Sequence, residues 1–405
     1  MDMLPSASQK LFSERDQFMS ERRLRIGVIQ RVLPTYRQPF FERLAIVSGA
    51  TLSVFAGKPL PDEGLKCVDR LSGVELFSAV NHYWQGSLGL VCWQNRLWNW
   101  LRVFDPDVLV LEASPRILSH WFAISWMHRR RRPVLGWGLG ELDRTGARWL
   151  RRARQRFAWT LARSLDGMIA YSTKAKQDYI MAGVPAERVF IAYNSIDNSE
   201  SERYLIRWRN DITWVKPWKE SLGFDASLPL VLFVGRLISQ KRVDLLIEAC
   251  APLERCQLLI VGDGPARAEL EQYAKMCAKR VRFVGHQSGE ALAQSFIASD
   301  VFVLPGAGGL AIHQAMSYGK PVIVSFGDGT ESDLVRQGQN GFFFRTGDVQ
   351  DLRAKLSQIL DDPVKIREMG QASLTIIRAE INLDKMVDGF LNAVNDTVKR
   401  FQSAK

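Results

Sequence analysis

Residues 301–323 read VFVLPGAGGLAIHQAMSYGKPVI, and they decide the fold. Val301 to Leu304 form a short apolar run that suits a buried strand, Pro305 to Gly309 a glycine turn, and Leu310 to Ser317 a helix. Tyr318-Gly319 stops that helix, and Pro321 to Val324 begins the next strand. The first turn of such a helix leaves backbone N–H groups free, and its aligned peptide dipoles add partial positive charge. An anion is therefore welcome there. Gly306, Gly308 and Gly309 would let a ligand approach the backbone. Alone, the same turn is better explained by packing.

Two further stretches change that balance. Leu228 to Gly235 (LPLVLFVG) is a near-continuous apolar run followed by Arg236 and Lys241 in the pattern G-R-x4-K, and then by an apolar helix from Val243 to Cys250. Gln257 to Gly262 is another buried strand, leading through Gly262-Asp263-Gly264-Pro265 into a helix carrying Arg267 and Glu269. In an open parallel sheet the carboxyl ends of all strands share one edge, which is where ligands bind. All three turns are expected on that edge.

In this order, G-R-x4-K, G-D-G-P and the glycine turn before Q-A-M-S-Y-G resemble the donor half of a family 4 (group 1) glycosyltransferase of the GT-B fold. The resemblance runs from about Leu228 to about Asp362 and includes Gly338-Gln339-Asn340-Gly341. The short turn P-G-A-G-G-L resembles a subgroup seen in bacterial polysaccharide biosynthesis. The resemblance implies an α/β chain with two Rossmann-like doubly wound domains facing a central cleft. The expected divisions are a flexible leader 1–22, an acceptor-side domain 23–200, a linker with helix 201–226, a nucleotide-sugar-binding domain 227–375, and a helical segment 376–405 returning to the first domain.

Composition fits that plan. A chain of 405 residues with 46% hydrophobic and 24% charged residues is long enough for two folded domains, which excludes a disordered class. Cys67, Cys92, Cys250, Cys256 and Cys277 show no C-x-x-C spacing, so reduced thiols and a cytoplasmic location are expected. The five histidines, His82, His120, His128, His286 and His313, are equally scattered, and no metal site is expected. Residues 1–22 lack the apolar core of a signal peptide.

The net charge of +11 is concentrated. Between Arg116 and Arg163 twelve arginines face only Glu141 and Asp143, which accounts for nearly the whole excess. The stretch Trp121 to Met127 precedes Arg129 to Arg132, and Ala147 to Arg163 places arginines on one side of a helix and Trp149, Leu150, Phe157 and Trp159 on the other. Neither apolar run reaches the roughly 20 residues that span a bilayer. The first stretch reads as core-facing. The second reads equally as a structural helix and as one lying on an anionic membrane surface, which would place the protein on the inner face of the plasma membrane. Nucleic acid is not expected as a partner, because the arginines alternate with large apolar side chains.

In the first half, Leu24 to Gln30 reads as a strand, and Arg31 to Pro39, a turn without glycine, lacks a dinucleotide fingerprint. Thr51 to Ala56 is a second strand and Pro59 to Gln85 reads as irregular. Leu88 to Leu101, with Trp93, Trp98 and Trp100 at helical spacing, reads as a core-facing helix. Asp107 to Glu112, Pro133 to Gly138 and Ser164 to Ser172 read as further strands, with Val189 to Ile196 closing the domain.

A nucleotide-sugar donor requires stabilisation of a departing diphosphate. The resemblance assigns this to Arg236 and Lys241 as catalytic residues, with Gly235, Gly262, Asp263, Gly264, Gly306, Gly308, Gly309, Leu310 and Gln314 binding the donor, and with no cofactor or metal. The family's two glutamates, separated by seven residues, fall here on Gly306 and Gln314. Its histidine after the glycine-rich strand falls on Leu139. Tyr36, Arg37, Glu141, His313 and Glu331 are further candidates, although His313 reads first as a core histidine. The implied activity is a metal-independent, retaining hexosyltransferase acting on a glycan or lipid-linked acceptor. A catalytically inactive sugar-nucleotide-binding subunit is the alternative, and an oxidoreductase a distant third.

Overall fold

The computed structural model describes residues 23–86, 89–140, 148–208, 211–278 and 280–403. The leader 1–22, Glu141, Asp143, Ala147 and Leu88 lie outside the described residues. Among those described, one compact unit takes the residues up to Gly136, Ser164–Gly167 and those from Val394. The other takes the described parts of Trp137–Arg163 and Met168–Ala393.

Fifteen strands are present among the described residues: β1 (Arg25–Val32), β2 (Thr51–Gly57), β3 (Glu75–Ser78), β4 (Val80–Gly86), β5 (Gly89–Asn95), β6 (Val108–Glu112), β7 (Val134–Gly138), β8 (Gly167–Ala170), β9 (Val189–Ile191), β10 (Leu230–Val234), β11 (Gln257–Val261), β12 (Val281–Phe283), β13 (Val301–Leu304), β14 (Val322–Val324) and β15 (Gly341–Phe343). One seven-stranded sheet has the order β3-β2-β1-β6-β7-β8-β9, and a six-stranded sheet the order β12-β11-β10-β13-β14-β15. Every pairing in the six-stranded sheet is parallel. Both orders start from a central strand and reverse direction, the doubly wound arrangement anticipated from the repeated strand, turn and helix.

The central strands are apolar along their length because helices cover them. Val28, Val54, Val110, Leu135 and Ile169 are fully buried in the first sheet, as are Leu232, Leu259, Phe302 and Ile323 in the second. Around the six-stranded sheet, helix Val243–Cys250 packs on Val349–Leu360 and Arg267–Cys277. Gly289–Ala298 and Gly309–Ser317 pack with Ser199–Arg207. The helix Leu383–Ser403 brings Phe390 edge-on to Trp137 at 5.2 Å and Gly389 onto the Ile191 carbonyl, so it covers β7 and β9.

Two expectations require correction. The stretch Pro59 to Gln85 is not irregular, since it holds β3 and most of β4. Leu88 to Leu101 is not one helix: β5 occupies Gly89–Asn95, pairs antiparallel with β4, and the helix starts only at Leu97. The alternation explains the difference. Cys92 and Gln94 are buried while Trp93 and Asn95 are exposed, a period of two that the spacing of the tryptophans obscured. Only Trp100 takes the core position expected of it, stacked between Phe55 and Phe104 and donating from Nε1 to Ser53 Oγ at 2.8 Å. The stretch Tyr204 to Leu222 likewise divides into two helices, Ser199–Arg207 and Val215–Ser221.

Candidate functional site

The three turns foreseen at one sheet edge are in backbone contact. After β10, Gly235 N–H donates to the Val261 carbonyl at 3.0 Å and Leu237 N–H to the Asp263 carbonyl at 2.9 Å. Gly264 has φ +158°, and a Cβ there would overlap the Leu237 carbonyl oxygen, so only glycine permits this approach. Gly262 N–H donates to the Gly285 carbonyl at 2.7 Å. Asp263 is tied down: its Oδ1 accepts from Gly264 N–H at 2.8 Å and its Oδ2 from Arg267 Nη1 at 2.9 Å. These bonds hold its carboxyl below the usual range.

The third turn closes on the first. A Cβ on Gly306 would overlap the Gln240 carbonyl oxygen and stand 2.8 Å from Lys241 Cα. The Lys241 ammonium donates to the Ala307 carbonyl, and a Cβ on Gly308, whose φ is +145°, would meet that ammonium. Lys241 thus lies against the start of helix Gly309–Ser317, which has no side-chain cap. Burial pulls its pKa below the ordinary lysine value, opposed by the nearby Asp328 carboxylate. Positive charge, glycine backbone and an uncapped helix start therefore coincide, a combination suited to an oxyanion such as a phosphate. Arg236 is exposed at the end of the same strand, and Leu310 and Gln314 are half-buried on the helix.

A fourth turn joins them, one whose importance the sequence did not reveal. Gly327 packs on Ala307 and Gly309 on the Thr330 hydroxyl, while Gly329 lies against the Lys174 side chain. Thr330 N–H donates to Asp328 Oδ1 at 3.0 Å. The signal for this turn in the sequence is a second glycine-flanked turn, Gly327 to Gly329, shortly after β14.

The remaining candidates are placed elsewhere or already engaged. Glu331 is buried, and its carboxylate accepts from Gly327 N–H at 2.8 Å and from Gly329 N–H at 3.0 Å, so it holds the fourth turn together. Burial raises its pKa. His313 is fully buried with its Nε2 at 2.9 Å from the Ile381 carbonyl, and burial lowers it to about 4, which keeps the ring neutral. This is the arrangement of a core histidine. Tyr36 and Arg37 follow β1, the tyrosine exposed and the arginine buried, with the guanidinium 5.4 Å from the tyrosine ring centre. Leu139 is half-buried next to Gly140, whose N–H donates to Tyr179 Oη at 3.1 Å.

Comparison with known proteins agrees with this geometry. Residues 215–374 match the family described as glycosyl transferases group 1, and residues 48–200 match glycosyltransferase family 4. The chain is 31% identical over 220 residues to a sulfoquinovosyl transferase of Arabidopsis thaliana, covering 53% of this chain and 41% of that protein. It is 29% identical over 260 residues to a GDP-mannose-dependent alpha-mannosyltransferase of Mycobacterium tuberculosis, covering 62% and 63% respectively. The chain spans about half the length of such curated relatives. Among solved structures, Anabaena HepE in complex with UDP superposes with a TM-score of 0.69 at 19% identity over 92% of this chain and 100% of that one. Sucrose-phosphate synthase from Thermosynechococcus elongatus gives 0.69 at 18% over 95% and 100%. The fold is GT-B, and the chain resembles family 4 glycosyltransferases over residues 48–200 and group 1 glycosyl transferases over residues 215–374.

Proposed function

We propose that this chain transfers a sugar from a nucleotide-sugar donor to a glycan or lipid-linked acceptor, with retention of configuration, in the assembly of a cell-surface polysaccharide. The observation that carries this reading is the Lys241 ammonium seated on the Ala307 carbonyl at the start of helix Gly309–Ser317, among four turns packed one on the next. The donor diphosphate lies there, held by Lys241, by Arg236 and by the N–H groups of Gly309 and Leu310. The bond from the sugar to the phosphate oxygen breaks as the bond to the acceptor oxygen forms on the same face. The acceptor proton passes to the departing phosphate oxygen. Charge builds on the diphosphate, and cations already in place stabilise it more in the transition state than before. In this reading the two side-chain cations do the work of a metal, and no cofactor takes part. A relative named as GDP-mannose-dependent supports a nucleotide-sugar donor.

The alternative, an inert sugar-nucleotide-binding subunit, draws support from one specific observation. Gly306 and Gln314 stand where the family has carboxylates, and Glu331 is committed to the Gly327 to Gly329 turn. Incubating the protein with UDP-glucose, UDP-galactose and GDP-mannose separates the two. An enzyme releases free nucleotide; a binder gains thermal stability from a donor and releases none.

The site of action in this proposal is the cytoplasmic face of an anionic membrane, with no role for nucleic acid. Among the described residues no helix is long and apolar enough to cross a membrane. Helix Arg148–Arg163 leaves Trp149 68% and Phe157 37% exposed beside exposed Arg152 and Arg156, and among its described side chains the buried ones are Leu161 and Ala162 in its last turn. That exposure supports an interfacial helix over a structural one.

A further inference from the structure

The β4–β5 hairpin has two unlike faces. Its register pairs Val80 with Asn95, His82 with Trp93 and Trp84 with Val91, so these six share one face. The opposite face carries Asn81, Tyr83, Cys92 and Gln94, and it is bound to the body: Gln94 Nε2 donates to the Gln30 carbonyl at 3.1 Å and Asn81 Nδ2 to the Arg31 carbonyl at 2.8 Å. The outward face is aromatic. Trp84 is 54%, Val80 42% and Trp93 37% exposed. It is also ordered, because Trp93 Nε1 donates to Asn95 Oδ1 at 2.9 Å, Asn95 Nδ2 meets His82 Nε2 at 2.9 Å, and the His82 ring stacks with Trp84 at 6.3 Å.

A cavity of about 620 Å³ adjoins this face at Val80, the one residue of the face that lines it; its wall otherwise takes in Asn81 and Tyr83 of the body-facing side, with Leu33, Ala56 and Val68. Arg96 lines the same cavity with φ +72°, a backbone conformation that costs free energy in a residue with a side chain.

We infer that the hairpin face and the adjoining cavity form a binding site for a neutral oligosaccharide, the non-reducing end entering the cavity and the preceding sugars lying on Trp84 and Trp93. The electron-rich face of an indole attracts the slightly positive C–H face of a pyranose, while hydroxyls at the sugar's rim reach polar groups such as His82 and Asn95. The six residues of this face include no lysine or arginine, and Lys58 and Arg96 stand only in the cavity wall, together with Asp69, so an anionic membrane or a nucleic acid finds no counter-charge on the aromatic face itself. The inference rests on the proposed transfer reaction only in taking this oligosaccharide as the acceptor.

The test is a titration of the full chain, with 15N-labelled indoles, using cellohexaose, maltohexaose, chitohexaose and α-1,6-mannohexaose, with glucose as the monomer control. At least one hexasaccharide is expected to shift the indole signals of Trp84 and Trp93 and to bind much more tightly than glucose. Trp84→Ala then weakens binding by about tenfold or more, and Trp84→Phe restores part of it. The inference is overturned if no hexasaccharide moves these signals, if Trp84→Ala binds like the wild type, or if only phosphatidylglycerol vesicles move them. Donor binding and nucleotide release are measured on the same samples. Their loss in the wild type counts against the transferase reading, and their persistence without hexasaccharide binding counts against this site alone.

Discussion

At the scale of single residues, the site depends on where two cations and a few glycines stand. Arg236→Ala or Lys241→Ala removes charge that matters most as the diphosphate departs, and each is expected to cost roughly 2 to 4 kcal/mol, or a few hundredfold in kcat/KM, with the far-ultraviolet spectrum unchanged. Wild-type turnover in both variants would refute the assignment. Lys241 must be protonated to act. Since burial holds its pKa below the ordinary lysine value, transfer should fall on the alkaline side earlier than a solvated lysine would dictate, as a pH profile of kcat/KM will show. His313 makes an opposite, acid-side prediction about stability. Unfolded, the ring takes a proton near pH 6.5; folded, only near 4. The unfolded state therefore binds more protons throughout that window, so stability is full above pH 6.5 and declines by roughly 3 kcal/mol as pH falls to 4. His313→Gln, which keeps a donor for the Ile381 carbonyl, should flatten the dependence of the urea midpoint on pH.

At the scale of elements, helix Arg148–Arg163 is the piece whose role is most exposed to experiment. Each arginine near an anionic surface contributes about 1 kcal/mol, so changing positions 148, 151, 152, 154 and 156 to glutamine should release the protein from phosphatidylglycerol liposomes at low ionic strength. Equal cosedimentation of variant and wild type would make the helix structural only. The elements also show what the sequence could and could not convey. The strands β10, β11 and β13 were legible because each is a short apolar run ended by a glycine turn, two signals that agree. Helix Val243–Cys250 has the bounds expected of it for the same reason. The hairpin was not legible, because Trp93, Trp98 and Trp100 satisfy a helical period while the true alternation of Cys92 to Asn95 is only four residues long. Lys241 and the three glycine turns were singled out from the sequence, and the structure packs them together. Asp328 and Thr330 were not singled out, since what ties them to these turns is the charge of Asp328 near Lys241 and the packing of Thr330 on Gly309, residues distant in sequence.

At the scale of the whole molecule, two doubly wound sheets carry the matched regions, and the turns of the proposed phosphate site lie within one compact unit. Because that site supplies its positive charge from side chains, transfer is expected to survive EDTA; activity recovered only on adding a divalent metal would contradict this. The packing at Gly306 bears on how such a molecule can change over generations. A glutamate at that position would need its Cβ where the Gln240 carbonyl oxygen already stands. The carboxylate that the resemblance leads one to expect there is thus not one codon away but a rebuilt turn away. With this backbone, any acid that the proposed chemistry requires must come from another position or from the substrate itself.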